Sequence, residues 1–201
     1  VHLGTARAVV VGPGMGRAAS TEALVLALLP ELPCAAVVDA DALNIAAAHA
    51  FDWHRCAHPV VITPHPAEMG RLAGLSIADV QARRHDLARE YAARHDVVVV
   101  LKGSDTVVAA PDGRISVSTI RTVALATGGS GDVLSGLVAA LLAQGLDPFD
   151  AAVAAVFIHG EAGLALQHRL GRAGALPRDL LEELPAAQER ARQVLQARRP
   201  A

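Results

Sequence analysis

Aromatic residues are almost missing from this chain: three Phe, one Trp and one Tyr make up 2% of its 201 residues. That scarcity argues against a base-stacking platform for single-stranded nucleic acid. Charge of a single sign is missing too. The formal net charge is −2 and the basic residues are scattered, so neither nucleic acid nor a membrane surface is an expected partner. Cysteine occurs twice, as Cys34 and Cys56, at a spacing that suits no metal or redox motif. Both are expected to be reduced thiols in a cytoplasmic protein. No apolar run is expected to span a bilayer, and no signal-peptide pattern opens the chain. Lysine is as scarce as tryptophan: Lys102 stands alone against seventeen arginines. Either it survived by chance, or its position needs a compact ammonium on a slim stem, which arginine does not supply.

What is present is aliphatic. Hydrophobic residues form 52% of the chain, enough for one sizeable core built from Ala, Val and Leu. Short apolar runs at Ala8–Val11, Ala35–Val38, Val60–Thr63 and Val97–Leu101 read as strands buried on both faces. Amphipathic segments separate them, so the expected sheet is largely parallel and lies between helical layers. Val107 to Ala109 and Arg114 to Ser118 flank the turn Pro111-Asp112-Gly113 and read as a hairpin. The last third is helical, with helices expected over 133–144, 149–168, 177–184 and 186–199. No repeat and no second hydrophobic block is evident, so residues 1–201 are expected to form one domain.

The chemistry-bearing residues cluster where strands end or helices begin. Gly12-Pro13-Gly14-Met15-Gly16 follows the first strand but departs from a dinucleotide fingerprint: the last glycine falls one position early, and Pro13 removes a donor. Asp39-Ala40-Asp41 follows the second strand. It could hold a cation or a sugar hydroxyl, or one of its carboxylates could cap the next helix. His65 stands rigidly between Pro64 and Pro66, and Glu68 lies in the first helical turn that follows. Lys102-Gly103-Ser104-Asp105-Thr106 closes the fourth strand. Gly128-Gly129-Ser130-Gly131-Asp132 is a glycine turn opening a buried helix, whose bare N–H groups would suit an anion. Asp132 then has two readings. It caps the helix and no anion binds, or it is a base beside a phosphate, taking a proton from an attacking hydroxyl.

Taken in order, VVGPGMG, VVDADALN, VITPHPAEMGRLAG, VLKGSDTVVAAPDGR, ATGGSGDVLSGLVAALLAQG, HGEAG and LPRDLLEELPAA resemble the ADP- or ATP-dependent NAD(P)H-hydrate dehydratases. The resemblance covers about residues 8 to 187. It implies a three-layer αβα, ribokinase-like fold with a mostly parallel sheet, whose N-terminal part would lie ahead of Val1. It also implies a repair enzyme that phosphorylates the ring hydroxyl of the S-epimer of hydrated NADH or NADPH and eliminates phosphate. The donor would be ADP (or ATP) with Mg2+. Asp132 would be the catalytic base and touch the substrate, as would Gly16, His65 and Asp41. Lys102, Gly103, Ser104, Asp105, Thr106, Gly129, Ser130 and Gly131 would bind the nucleotide, and Glu68 would face the metal. A homo-oligomer, up to a tetramer, and an epimerase domain upstream are further implications. Thr122-Val123-Ala124-Leu125 departs from the family's Asn-Pro-Gly-Met-like run, and Ser130 replaces a commoner threonine. A small-alcohol kinase of the same fold, or a nucleotide-binding chain without activity, are the competing readings.

Overall fold

The computed structural model describes residues 3–197. Six strands form one sheet in the order β1-β2-β3-β4-β5-β6: β1 (Ala8–Val11), β2 (Ala35–Val38), β3 (Val60–Ile62), β4 (Val98–Leu101), β5 (Thr106–Ala109) and β6 (Ile115–Ser118). The first four run parallel, while β4, β5 and β6 form an antiparallel meander, so the expected hairpin is continuous with the sheet.

Side chains alternate across the strands and so divide the core in two. Val11, Val38, Ile62, Val99 and Leu101 face one helical layer. That layer holds α1 (Ala19–Leu28), α2 (Ala40–Ala48), α3 (Pro66–Ala73), α4 (Ile77–Ala82) and α5 (Arg84–His95). Val37, Val61, Val98, Val100 and Val108 face the other, made of α6 (Ser130–Ala143), α7 (Pro148–Leu170) and α8 (Pro177–Ala197). The expected αβα layering is therefore present.

Three expectations need correction. β1 is not buried on both faces: it forms one edge of the described sheet, and Val10 is 38% exposed. α7 is long and apolar enough to cross a membrane, against the expectation of no such run. Its apolar surface is used inside the protein, where Ala151, Ala152, Ala155 and Ala162 are fully buried. The tail does not break at Pro185 but forms one helix, Pro177–Ala197, with Pro185 inside it. Proline removes the bond to the carbonyl four residues earlier. Here that residue is Leu181, 53% exposed, so water can serve its carbonyl. Leu180 and Ala187, on either side, are buried in the core and hold the helix down. Arg199 lies outside the described residues.

Candidate active site

The carboxyl ends of β2, β3 and β4 open onto the same edge of the sheet, where open α/β folds collect ligand groups. Asp39 follows β2. It is 1% exposed and caps α2 by accepting the N–H of Ala40 at 2.8 Å. So Asp39, not Asp41, is the capping member of the D-x-D pair. Gly12 exists for the same loop: its φ is +125°, and a Cβ there would drive into the Asp39 carbonyl. The first glycine of the Gly12–Gly16 turn thus admits a neighbouring chain segment.

A buried carboxylate needs partners, and Asp39 has them from two distant elements. Lys102 Nζ donates to Oδ1 at 2.8 Å, and Ser135 Oγ of α6 donates to Oδ2 at 2.6 Å. Thr63 Oγ1, just past β3, lies 3.3 Å from Ser135 Oγ. Lys102 is held at its backbone as well, where its N–H donates to the Pro64 carbonyl at 2.9 Å.

His65 and Glu68 form a reciprocal capping box at the start of α3. His65 Nδ1 accepts the N–H groups of Ala67 and Glu68, and a Glu68 carboxylate oxygen accepts the His65 N–H at 2.8 Å. An imidazole accepting at Nδ1 is neutral, with its proton on Nε2. The surroundings agree: burial first, then the Lys102 and Arg71 charges, lower its affinity for a second proton. Glu68 is 5% exposed, and burial pushes its carboxyl above the usual range against the pull of the His65 N–H and Lys102. Its Oε2 lies 4.0 Å from Lys102 Nζ.

Across from these groups stands the N-terminus of α6. Gly129, with φ +92°, turns the chain into the helix, and no side chain caps it. Asp132 is exposed, and its carboxylate takes part in no hydrogen bond or ion pair among the described residues. The capping reading of Asp132 therefore falls. Nor do the N–H groups of Gly131 and Asp132 find backbone acceptors among those residues. A Cβ at Gly131 would stand 3.3 Å from Lys102 Nζ and 3.8 Å from Asp39 Oδ2, so glycine lets the ammonium approach the helix start. An ammonium and the positive end of a helix, side by side, favour an anion between them.

These walls enclose a cavity of about 850 Å³. Of the candidate site residues, His65, Glu68, Lys102, Gly103, Ser104, Thr106, Gly129, Ser130, Gly131 and Asp132 line it. Three expected residues do not. Gly16 and Asp41 pair with each other, Gly16 N–H to Asp41 Oδ2 at 2.8 Å. Asp105 binds Arg121, itself on the cavity lining, through both carboxylate oxygens. Ser130 contributes backbone rather than hydroxyl, since its Oγ donates to the Leu125 carbonyl at 2.7 Å.

His159, Gly160 and Gln167 of α7 also line the cavity, with no role expected for them from the sequence. His159 Nε2 lies 2.9 Å from the Ser130 carbonyl, and burial lowers its pKa to about 4, so it stays neutral and donates. Gly160 and Gly163 share its helix face, one turn apart. A Cβ on either would collide with Ile120 or with Leu125 and Thr122. The HGEAG segment is thus a seat for the loop over residues 120–125. Gln167 completes it, accepting from Thr122 Oγ1 at 2.8 Å and the Val123 N–H at 3.0 Å. The small–x–x–small spacing was the available signal.

A mostly parallel sheet between two helical layers, with an anion-receptive helix start at the strands' carboxyl ends, defines a ribokinase-like α/β protein. The chain belongs to the NAD(P)H-hydrate dehydratase family, whose family model matches residues 1–186. It is 42% identical over 175 residues to a bifunctional NAD(P)H-hydrate repair enzyme of Moorella thermoacetica, a match covering 87% of this chain and 33% of that one. It is 39% identical over 183 residues to an ADP-dependent (S)-NAD(P)H-hydrate dehydratase of Xanthomonas campestris, covering 91% and 62%. The ADP/ATP-dependent NAD(P)H-hydrate dehydratase of Bacillus subtilis, co-crystallised with ATP and Mg2+, superposes with TM-score 0.81 at 33% identity, covering 92% and 64%. The chain thus spans between a third and two thirds of the length of these relatives.

Proposed function

We propose that this chain carries the ADP-dependent dehydration of the S-epimer of hydrated NADH or NADPH. The observation behind the proposal is the pairing of an uncapped α6 start, with Lys102 against Gly131, and the unengaged Asp132 carboxylate on the same cavity. Asp132 takes the proton of the ring hydroxyl, and that oxygen attacks the terminal phosphorus of ADP, releasing AMP. The C–O bond then breaks, phosphate leaving with the electron pair. Loss of a proton from the neighbouring ring carbon restores the double bond. Hydroxide is a poor leaving group and phosphate a good one, which is the reason for the detour. Lys102 and the N–H groups of Gly131 and Asp132 hold the transferring phosphoryl, while Gly103, Ser104 and Thr106 border the nucleotide. His65 faces the substrate from the opposite wall. Gly16 and Asp41, outside the cavity, are candidate contacts for the far half of the dinucleotide.

Among the described residues no group of three or more His, Cys, Asp or Glu could hold a metal alone. Magnesium commonly binds through one or two carboxylates plus substrate phosphates, and Glu68 fits that pattern. When bound, the ion would neutralise charge on the phosphates. The same proposal includes a homo-oligomer in the cytoplasm, where Cys34 and Cys56 stay unpaired.

The test is incubation with hydrated NADH, ADP and Mg2+, following the reduced-nicotinamide absorbance band. Recovery of absorbance with release of AMP and phosphate is expected. A protein that binds ADP but restores nothing with either ADP or ATP, or that phosphorylates a small alcohol instead, would overturn the proposal.

A further inference from the structure

Arg84 is the first residue of α5 and does not line the cavity. Its guanidinium nonetheless reaches the back of the turn that carries Lys102. Nη2 lies 2.8 Å from the Leu101 carbonyl, 3.1 Å from that of Lys102 and 3.0 Å from that of Asp105. Nη1 donates to Gln81 Oε1 at 2.8 Å. Three carbonyls converging on one nitrogen make a cradle shaped for a cation. We infer that Arg84 is a positioning residue: it fixes the Lys102–Asp105 turn from behind and so sets the Lys102 ammonium against the start of α6.

Two further features support this. Gly103 is fitted to the guanidinium, since a Cβ there would stand 2.8 Å from Nη2 and 3.0 Å from Nη1. The glycine of the LKG segment therefore makes room for Arg84 on the side away from the ligand. And Arg84 Nε is buried with no partner. An unsatisfied buried donor is costly, so the guanidinium sits where the carbonyl cradle holds it rather than where all its donors are satisfied.

Together with the bond from the Lys102 N–H to Pro64, Arg84 pins the lysine's peptide on both sides. The side chain needs only Asp39 to fix its tip. Without Arg84, three carbonyls at the end of a buried strand lose their charged donor, and the turn is free to rotate Lys102 away from Gly131. A helix-start arginine with no such role would leave Lys102 untouched when removed.

The inference rests on the nucleotide reading of the cavity for its functional consequence, but not for its structural one. Because Lys102 is the only lysine, labelling lysine with 15N at Nζ yields a single side-chain signal. In Arg84→Ala that signal is expected to shift and broaden, and the ADP dissociation constant to rise about tenfold, the size of one lost charge-assisted hydrogen bond. Guanidinium ion, added well below denaturing concentrations, is expected to fill the vacated cradle and restore both. If Arg84→Ala does not fold, Gly103→Ala displaces the guanidinium from the other side and is expected to move the same signal. A folded variant whose Lys102 signal is unchanged overturns the inference. If the signal moves and is rescued by guanidinium, yet the unaltered protein binds no ADP, the positioning role stands and the nucleotide reading falls.

Discussion

The two walls of the cavity are built on opposite principles. Where the strand ends meet the second turn of α6, Asp39, Lys102, Ser135 and Thr63 form a closed network in which the buried carboxylate has a partner on each oxygen. At the first turn of α6, the N–H groups of Gly131 and Asp132 and the Asp132 carboxylate are left without partners among the described residues. A satisfied network rigidifies, and an unsatisfied one waits for a ligand. The protein saturates the groups around Asp39 and leaves the start of α6 free.

The sharpest way to break this contrast is Asp132→Asn. If Asp132 is the free reacting group, turnover of hydrated NADH should fall on the order of 10²- to 10⁴-fold, with ADP affinity little changed. Steady-state assays and ADP titration read the two separately, and full activity would remove Asp132 from the chemistry. Lys102→Met attacks the saturated wall instead. It strands the Asp39 carboxylate, 1% exposed, so stability should drop by about 3 kcal/mol in urea unfolding. Asp132→Asn should leave stability nearly unaltered.

A third test uses protons. His159 has its pKa lowered from 6.5 to about 4 in the folded state, so the unfolded chain binds its proton first. The stability this neutral imidazole carries is full above pH 6.5 and is lost progressively down to about pH 4. The shift corresponds to roughly 3 kcal/mol. His159→Gln should flatten that part of the stability curve; an unchanged slope would mean another group causes it. The smallest effect is expected from Gly131→Ala. A methyl group 3.3 Å from Lys102 Nζ should weaken ADP binding several-fold by calorimetry. Stability should change by at most about 1 kcal/mol, because alanine is the better helix former.

The same contrast explains what was legible in the sequence. The free groups announce themselves locally: a glycine turn before a helix, with Asp132 in its first turn, is visible within a few residues. The saturated network does not. Ser135 and Thr63 are ordinary hydroxyls, and only the fold brings Ser135 to Asp39. The D-x-D pair showed two carboxylates, and nothing in its spacing says that Asp39 turns inward while Asp41 binds Gly16. His65 and Glu68 read as a loop histidine and a helix-start acid; their mutual capping depends on Nδ1 geometry that three-residue spacing permits but does not dictate. Pro185 misled because the break it favours is outweighed by burial of Leu180 and Ala187 on one continuous helix.

The anchoring of Asp39 has a consequence for the order of assembly. The β4–β5–β6 meander is made of neighbours in sequence and can zip early. The bonds to Asp39 cannot: Lys102 is 63 residues away and Ser135 is 96. They close loops that span much of the chain, an entropic cost met only once both helical layers have collapsed onto the sheet. The wall around Asp39 is therefore among the last parts of the molecule to form. A ligand that binds there selects chains that have finished folding.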